Sequence, residues 1–372
     1  MAKEKKDATK EKSVLTEKSL QFFKTYINNA SPVGFESSGQ KLWLQYLKPY
    51  IDTHFTDPYG TAVGVINPDA PFKVVIEAHA DEISWFVNYI NDQGLIYLKR
   101  NGGVDHQIAP GKRVWIHGKK GPVKAVFGWP AIHTRLSNND NKEPQPKVEN
   151  LFLDTGARNK KEVEDLGIHI GSVVTYEEGF DELAYDYYIG RAFDNRVGGY
   201  MIAEVARLLK ENKKKLPYAL YIVNAVQEEI GLRGAEMIAR RIKPNVAIVT
   251  DVTHDTNTPM VNKIVEGDIM CGKGPSLAYG PAVHNKLLDL VQDVAKDANI
   301  PVQLRSLSRS TGTDTDSFAY ANDGCPSVLI SIPLRYMHTT VEMLHKRDIE
   351  NTIQLMYETL LTLTPKTNLS YF

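Results

Sequence analysis

The sequence predicts an α/β fold: a mostly parallel sheet covered by helices, with a small β-barrel-like domain inserted into it. Strand-length apolar runs alternate with helix-period stretches in both the early and the late part of the chain, as in a doubly covered parallel sheet. Between about Ile83 and Gly179 that alternation gives way to short β-rich runs punctuated by Gly and Pro, the texture of a small barrel or sandwich. Several apolar runs also stop abruptly at a histidine or a carboxylate. In open α/β sheets the ligand crevice lies just there, beyond the carboxyl ends of the strands.

The elements follow in order. Leu15 to Ile27 carries apolar residues at helical spacing and stops at the breaker loop Asn28 to Glu36. A second helix spans Gln40 to Ile51, then come strand-like runs at Ala62–Ile66 and Phe72–Ala78. The second of these runs straight into His79-Ala80-Asp81-Glu82. In the β-rich stretch the clearest strands are Gly94–Leu98, Arg113–Gly118, Val123–Gly128 and Ser172–Tyr176, and the polar segment Leu136 to Asn150 is expected as a surface loop. Alternation resumes with a helix from Asp194 through Leu209 and a strand at Ala219–Ala225 that meets Glu228 and Glu229. Later come a helix at Ala235–Ile242, a strand at Val246–Thr250 ending at Asp251, and a helix at Asn285–Ala298. Strands at Val302–Leu307 and Ser327–Ile332, the latter heading toward His338, precede a last helix over Lys346–Leu363.

Bulk properties exclude several function classes. A chain of 372 residues suggests two domains or one large domain with an insertion. The expected division is a disordered tail over 1–13, a catalytic α/β domain over 14–82 and 180–372, and an inserted β-rich dimerisation domain over 83–179. A formal net charge of −1 gives no global attraction to nucleic acid or anionic lipid. No stretch approaches the ~18 unbroken apolar residues needed to cross a bilayer, and the lysine-rich start has no apolar signal core. Cys271 and Cys325 cannot form a disulfide framework and sit in no metal-type pair. Cytoplasmic location is the matching expectation.

On this frame His79, Glu228 with Glu229, and Asp251 sit at strand ends. His338 lies in the loop after another strand, and Asp194 opens a helix. Each has an ordinary explanation on its own: a hydrogen-bonded histidine, a helix cap, a turn aspartate. The weight lies in their joint placement, since the topology gathers well-separated segments at one sheet edge. Two imidazoles and several carboxylates without thiolates suit a divalent ion such as Zn²⁺, Co²⁺ or Mn²⁺.

The motifs resemble those of the M42 family of dinuclear metallo-aminopeptidases, which build tetrahedral particles. The resemblance is carried by Ala78-His79-Ala80-Asp81-Glu82-Ile83, Gly102-Gly103-Val104-Asp105-His106-Gln107, Gly111-Lys112-Arg113-Val114 and Leu153-Asp154-Thr155-Gly156-Ala157. It continues through Arg191-Ala192-Phe193-Asp194-Asn195-Arg196, Ala225 to Ala235 around Gln227-Glu228-Glu229, Asp251-Val252-Thr253-His254 and Ile332 to His338. These run in the family's order from about Leu15 to the end. The lysine-rich tail is extra, Val104 stands where an aromatic is expected, and Thr313-Asp314-Thr315-Asp316 carries one more acid.

The resemblance implies two divalent ions per subunit, with His79 and Asp251 on one, Glu229 and His338 on the other, and Asp194 bridging. Asp81 is implied to fix the tautomer of His79, and Glu228 to be the general base. It implies release of N-terminal residues from peptides, with dimers and a hollow dodecamer formed through the β domain. A related metallo-deacylase or peptidase is the main alternative. A silent scaffold on this frame would have lost a ligand, and a glycosidase built on Glu228, Glu229 and Asp251 would need no histidines. The pocket is expected between Ser306 and Phe318 and near His254 and Arg335. Arg305, Arg309 and Arg335 favour acidic residues there, whereas Asp314 and Asp316 argue against them.

Overall fold

The computed structural model describes residues 14–135 and 144–372. The charged tail over 1–13 and residues 136–143 of the expected loop lie outside them. Three strands lead, β1 (Thr53–Thr56), β2 (Ala62–Ile66) and β3 (Lys73–His79), followed by β4 (Ser84–Ile90), β5 (Ile96–Asn101), β6 (Arg113–Gly118), β7 (Gly121–Gly128), β8 (Phe152–Asp154) and β9 (Val173–Tyr176). Then come β10 (Asp181–Leu183), β11 (Tyr187–Gly190), β12 (Ala219–Ala225), β13 (Val246–His254), β14 (Ser276–Tyr279), β15 (Gln303–Ser306), β16 (Ser327–Leu334) and β17 (Glu342–His345).

The main sheet has the order β1-β2-β12-β3-β13-β16-β14-β15. Its centre, β12-β3-β13-β16, is parallel, and antiparallel pairs flank it. Central strands such as Lys73-Val-Val-Ile-Glu-Ala-His79 are buried along nearly their whole length because helices cover both faces. Register fixes what meets at the rim. Ala225 pairs with His79, Val249 with Glu77, and Asp251 with Ser331.

The helix Phe193–Glu211 packs across the middle of the sheet, with all but three of its 19 residues buried. It is fixed to the preceding loop by the fully buried Arg196, whose guanidinium donates to the carbonyls of Tyr26 and Asn29. Glu82 completes that joint. Its carboxylate lies 3.1 Å from Arg191 Nη1 and accepts the Ser31 N–H at 2.7 Å.

Strands β4-β5-β8-β7-β6-β9 close into a barrel. It has its own apolar centre of Trp85, Ile96, Val114, Ile116, Phe127, Leu153 and Val174. Val104, which replaces an expected aromatic, is 1% exposed within that centre. The barrel closes its own hydrogen-bond ladder, so it leaves no open edge.

The structure differs from the sequence expectation in several places. Strand β13 continues to His254 because β16 pairs with it as far as Leu334, so Asp251 lies inside a strand rather than beyond its end. Likewise His79 is the last residue of β3. The second helix is shorter than expected, Ser37–Leu47, and tightens into a 3₁₀ turn at Lys48–Tyr50, where Pro49 removes an amide donor. A three-stranded sheet β10-β11-β17 was not expected, its strands being only three or four residues long. Among the described residues no helix is long and apolar enough to cross a membrane.

Candidate metal centre

His79 and His338 come from the ends of different segments, and one carboxylate stands between them. Asp194 Oδ1 is 3.2 Å from His79 Nε2, and Asp194 Oδ2 is 3.2 Å from His338 Nε2. On the inner side His79 Nε2 also faces Glu228 Oε2 at 3.8 Å and Asp251 Oδ1 at 3.9 Å. On the outer side His338 Nε2 is 3.4 Å from Glu229 Oε1. Among the described residues three overlapping groups could hold a metal: His79, Asp194 and Asp251; Asp194, Glu229 and His338, which shares Asp194 with the first; and His79, Glu228 and Glu229.

A cavity of about 540 Å³ opens over them, lined by His79, Asp194, Glu228, Glu229, Asp251 and His338. Asp81, the seventh residue expected at the site, is fully buried behind His79. Of the expected pocket residues, Ser310 to Thr313 and Asp316 line the cavity with His254 and Arg305. Phe318 belongs instead to the core of the main sheet.

The local backbone is built to present these side chains. Glu228 and Glu229 occupy a 3₁₀ turn bracketed by Gln227 (φ +59°) and Leu232 (φ +61°). His338 itself has φ +62°. Left-handed conformations at non-glycine residues cost energy and persist where the surroundings enforce them. The enforcing partners are carboxylates. Asp81 accepts the N–H of Glu228 at 3.0 Å and of Glu229 at 3.1 Å. Its distance to His79 Nδ1 is 3.5 Å, long for a hydrogen bond, so holding the glutamate turn is its firmer task.

Glu342 plays the equivalent part on the outer side, where it accepts the N–H of Asp194 at 3.1 Å and of His338 at 2.9 Å. Sequence reasoning missed it. Gly103 offers its carbonyl to His338 Nδ1 at 3.2 Å, and a Cβ at that glycine would come within 2.8 Å of the imidazole. With Nδ1–H donating there, Nε2 is left to face the carboxylates.

Electrostatics test whether the donor set fits cations. Burial pushes the Glu228 carboxyl up to about 10 and Asp251 up to about 7, although the neighbouring His79 opposes both shifts. Burial also raises Glu229, and Asp194 adds to the effect. Burial lowers His338, but Asp194 and Glu229 outweigh it and lift the imidazole to about 12. His79 is likewise raised against burial by Asp194 and Asp81. Asp194 is held below the usual carboxylate range, since the two histidines overcome its burial. In the protein alone, imidazolium protons offset the crowded carboxylates; divalent cations would supply the same charge. The buried Glu229 Oε1 accepts no close hydrogen bond among the described residues, with His338 Nε2 3.4 Å away, which leaves it open to a cation. The residues fit the group.

The model of the family described as M42 glutamyl aminopeptidase matches residues 60–355. The chain belongs to the M42 peptidase family. It is 32% identical over 348 residues to a lysyl aminopeptidase of Pyrococcus furiosus, covering 93% of this chain and 97% of that one. It is also similar to a TET aminopeptidase from the marine sediment archaeon Thaumarchaeota archaeon SCGC AB-539-E09, with a TM-score of 0.89, 30% identity and coverage of 94% and 97%. A Pyrococcus horikoshii TET1 peptidase that can assemble into a tetrahedron or a large octahedral shell shares the fold at a TM-score of 0.82 and 23% identity, covering 93% of this chain and all of that one. As an M42 peptidase the chain is a hydrolase, and the candidate metal-binding groups sit where an open α/β sheet presents its ligands.

Proposed function

We propose that this M42 peptidase is an aminopeptidase that removes N-terminal residues from peptides with the help of two divalent ions, zinc or cobalt. The supporting observation is the Asp194 carboxylate, whose two oxygens lie 3.2 Å from two different histidines. His79 and Asp251 would hold one ion, Glu229 and His338 the other, and Asp194 both. When bound, the ions supply Lewis acidity and a water acidified toward neutral pH.

The remaining work falls to the chain. Glu228, 3.8 Å from His79, is assigned to neither ion in this reading. It takes a proton from the attacking water and later delivers it to the leaving amine. Its amide is held by Asp81, so the carboxylate cannot swing away with the turn. Thr311, Gly312 and Thr313 form one wall of the cavity, whose size suits one or two residues.

The barrel is assigned to dimer contacts, and the protein to a cytoplasmic hollow assembly of twelve. The shared fold with an assembling TET peptidase supports that reading. Light scattering is expected to give a mass near twelve times 41.7 kDa. The activity is tested by stripping the metal and assaying aminoacyl-p-nitroanilides before and after adding Zn²⁺ or Co²⁺. Hydrolysis is expected to vanish and return. Activity indifferent to a strong chelator would overturn the proposal.

A further inference from the structure

The breaker loop Asn28 to Glu36 ends on a buried acid that no step above uses. Its second half, Ser31 to Glu36, is stitched to the residues just past His79. Pro32 bridges Glu82, the Val33 N–H donates to the Glu82 carbonyl at 3.1 Å, and the Glu82 N–H donates to the Ser31 carbonyl at 3.0 Å. That stitching brings Glu36 up to Asp81, immediately before the helix Ser37–Leu47. Glu36 is 2% exposed, and among the described residues no cation forms an ion pair with it. Burial and the neighbouring Asp81 push its carboxyl up to about 8. A desolvated acid beside another acid is costly unless donors offset it.

The donors that offset it are backbone amides. The Gly34 N–H donates to Glu36 Oε1 at 2.7 Å, and the amides of Glu36 itself and of Gln227 act in the same direction. Gln227 is the informative one. With φ +59° it opens the turn that presents Glu228 and Glu229. Three successive amides are therefore faced by two carboxylates: Gln227 by Glu36, and Glu228 and Glu229 by Asp81. Successive N–H groups at such a turn form a concave seat for anions, and a left-handed non-glycine residue persists only where its surroundings enforce it. The same helix supplies a contrast. Gln40 donates to the Asn224 carbonyl at 2.7 Å and accepts from the Asn224 side chain at 2.8 Å. It ties the helix to β12 without gripping the turn.

We propose that Glu36 is a positioning residue for the hydrolysis: with Asp81 it holds the Gln227–Glu229 turn in place and so aims the Glu228 carboxylate at the attacking water. This rests on the aminopeptidase reading above and adds a residue outside every candidate metal-binding group.

The zinc- or cobalt-loaded enzyme is assayed on leucyl-p-nitroanilide as wild type, Glu36→Ala, Glu36→Gln and Gln40→Ala. In Glu36→Ala kcat is expected to fall by about tenfold or more, while KM and metal content stay within about twofold. Glu36→Gln keeps an acceptor oxygen and recovers most of the loss. Gln40→Ala lowers the urea midpoint but leaves kcat unchanged. An unchanged kcat in Glu36→Ala, a loss carried by KM or metal content, or an equal loss in Gln40→Ala would overturn the assignment. Should Glu36→Ala not fold, Glu36→Asp carries the test, since its shorter side chain draws the carboxylate back from Gln227; a wild-type kcat there overturns it equally. Deuterium exchange of the amides over 226–232 gives a readout without turnover, expected to quicken by about tenfold in Glu36→Ala and not in Gln40→Ala. If wild type cleaves nothing yet that contrast is found, the aminopeptidase reading fails and the grip of Glu36 on the turn stands. Exchange unmoved by Glu36→Ala would remove the grip itself.

Discussion

The two halves of the proposed metal centre are built differently, although they share Asp194. The inner half is anchored in the sheet: His79 closes β3, Asp251 lies within β13, and His79 is 1% exposed. The outer half hangs on loops. The His338 side chain is 32% exposed, its backbone is left-handed, and it is held by a carbonyl from Gly103 and by the Glu342 carboxylate. Sheet strands are rigidly registered, whereas loops open locally at low cost. The inner half is thus a preformed seat for a cation, and the outer half depends on partners brought from distant segments. If the two proposed ions bind, this asymmetry predicts that they do so with unequal affinity.

The largest expected effect separates chemistry from binding. Glu228→Gln keeps the shape of the turn and both ligand groups but removes the proton acceptor. Turnover is expected to fall by about a thousandfold, with both ions retained by elemental analysis. Full activity in that variant would remove Glu228 as the base.

The next effect addresses the asymmetry itself. His79→Ala is expected to lose both ions and nearly all activity. His338→Ala should keep about one equivalent, and a chelator titration of wild type should release the ions in two steps. Equal stoichiometry in the two variants would break the distinction between the halves. Glu342→Ala attacks the outer half from behind. It strands two buried N–H groups, at a cost of about 2 kcal/mol in stability, and weakens the looser ion by roughly tenfold or more. Calorimetric titration of stripped protein would show whether only the weaker site moves, and Glu342→Gln, which keeps an acceptor oxygen, is expected to recover part of the affinity.

The same asymmetry decides what could be read from the sequence. The inner half was legible because its residues terminate or continue long apolar strands, whose pattern announces itself. His79 after Val-Val-Ile-Glu-Ala and Asp251 after Val-Ala-Ile-Val-Thr are of this kind. The overall α/β class was legible for the same reason, as was the β-rich insertion. The supports of the outer half were not. Glu342 sits in Thr-Thr-Val-Glu, where it resembles any surface acid, and the amides it serves lie 148 and 4 residues away. The one available signal was Glu342-Met343-Leu344-His345 shortly after His338, a short strand of alternating burial. Asp81 was singled out, but its hydrogen bonds to the Glu228 and Glu229 amides depend on β3 lying beside β12, which no local pattern states.

The smallest expected effect on turnover lies beneath the inner half alone. Glu77 is two residues before His79 and fully buried, and its carboxyl faces that of Asp314. Among the described residues no N–H or O–H reaches any of the four oxygens, so a proton shared within the pair relieves the repulsion. Burial raises Glu77 to about 8, and Asp314 is raised as well. Below pH 4.5 Glu77 is protonated folded and unfolded alike and contributes nothing to pH dependence. Between there and about pH 8 only the unfolded chain releases the proton, so stability falls as pH rises. Urea midpoints of metal-stripped protein are therefore expected to drop from pH 5 to pH 8. Glu77→Gln, which gives Asp314 an amide donor in place of the shared proton, should flatten that drop. A slope as steep in the variant as in wild type would move the pH sensitivity elsewhere and leave the inner half without its acidic floor.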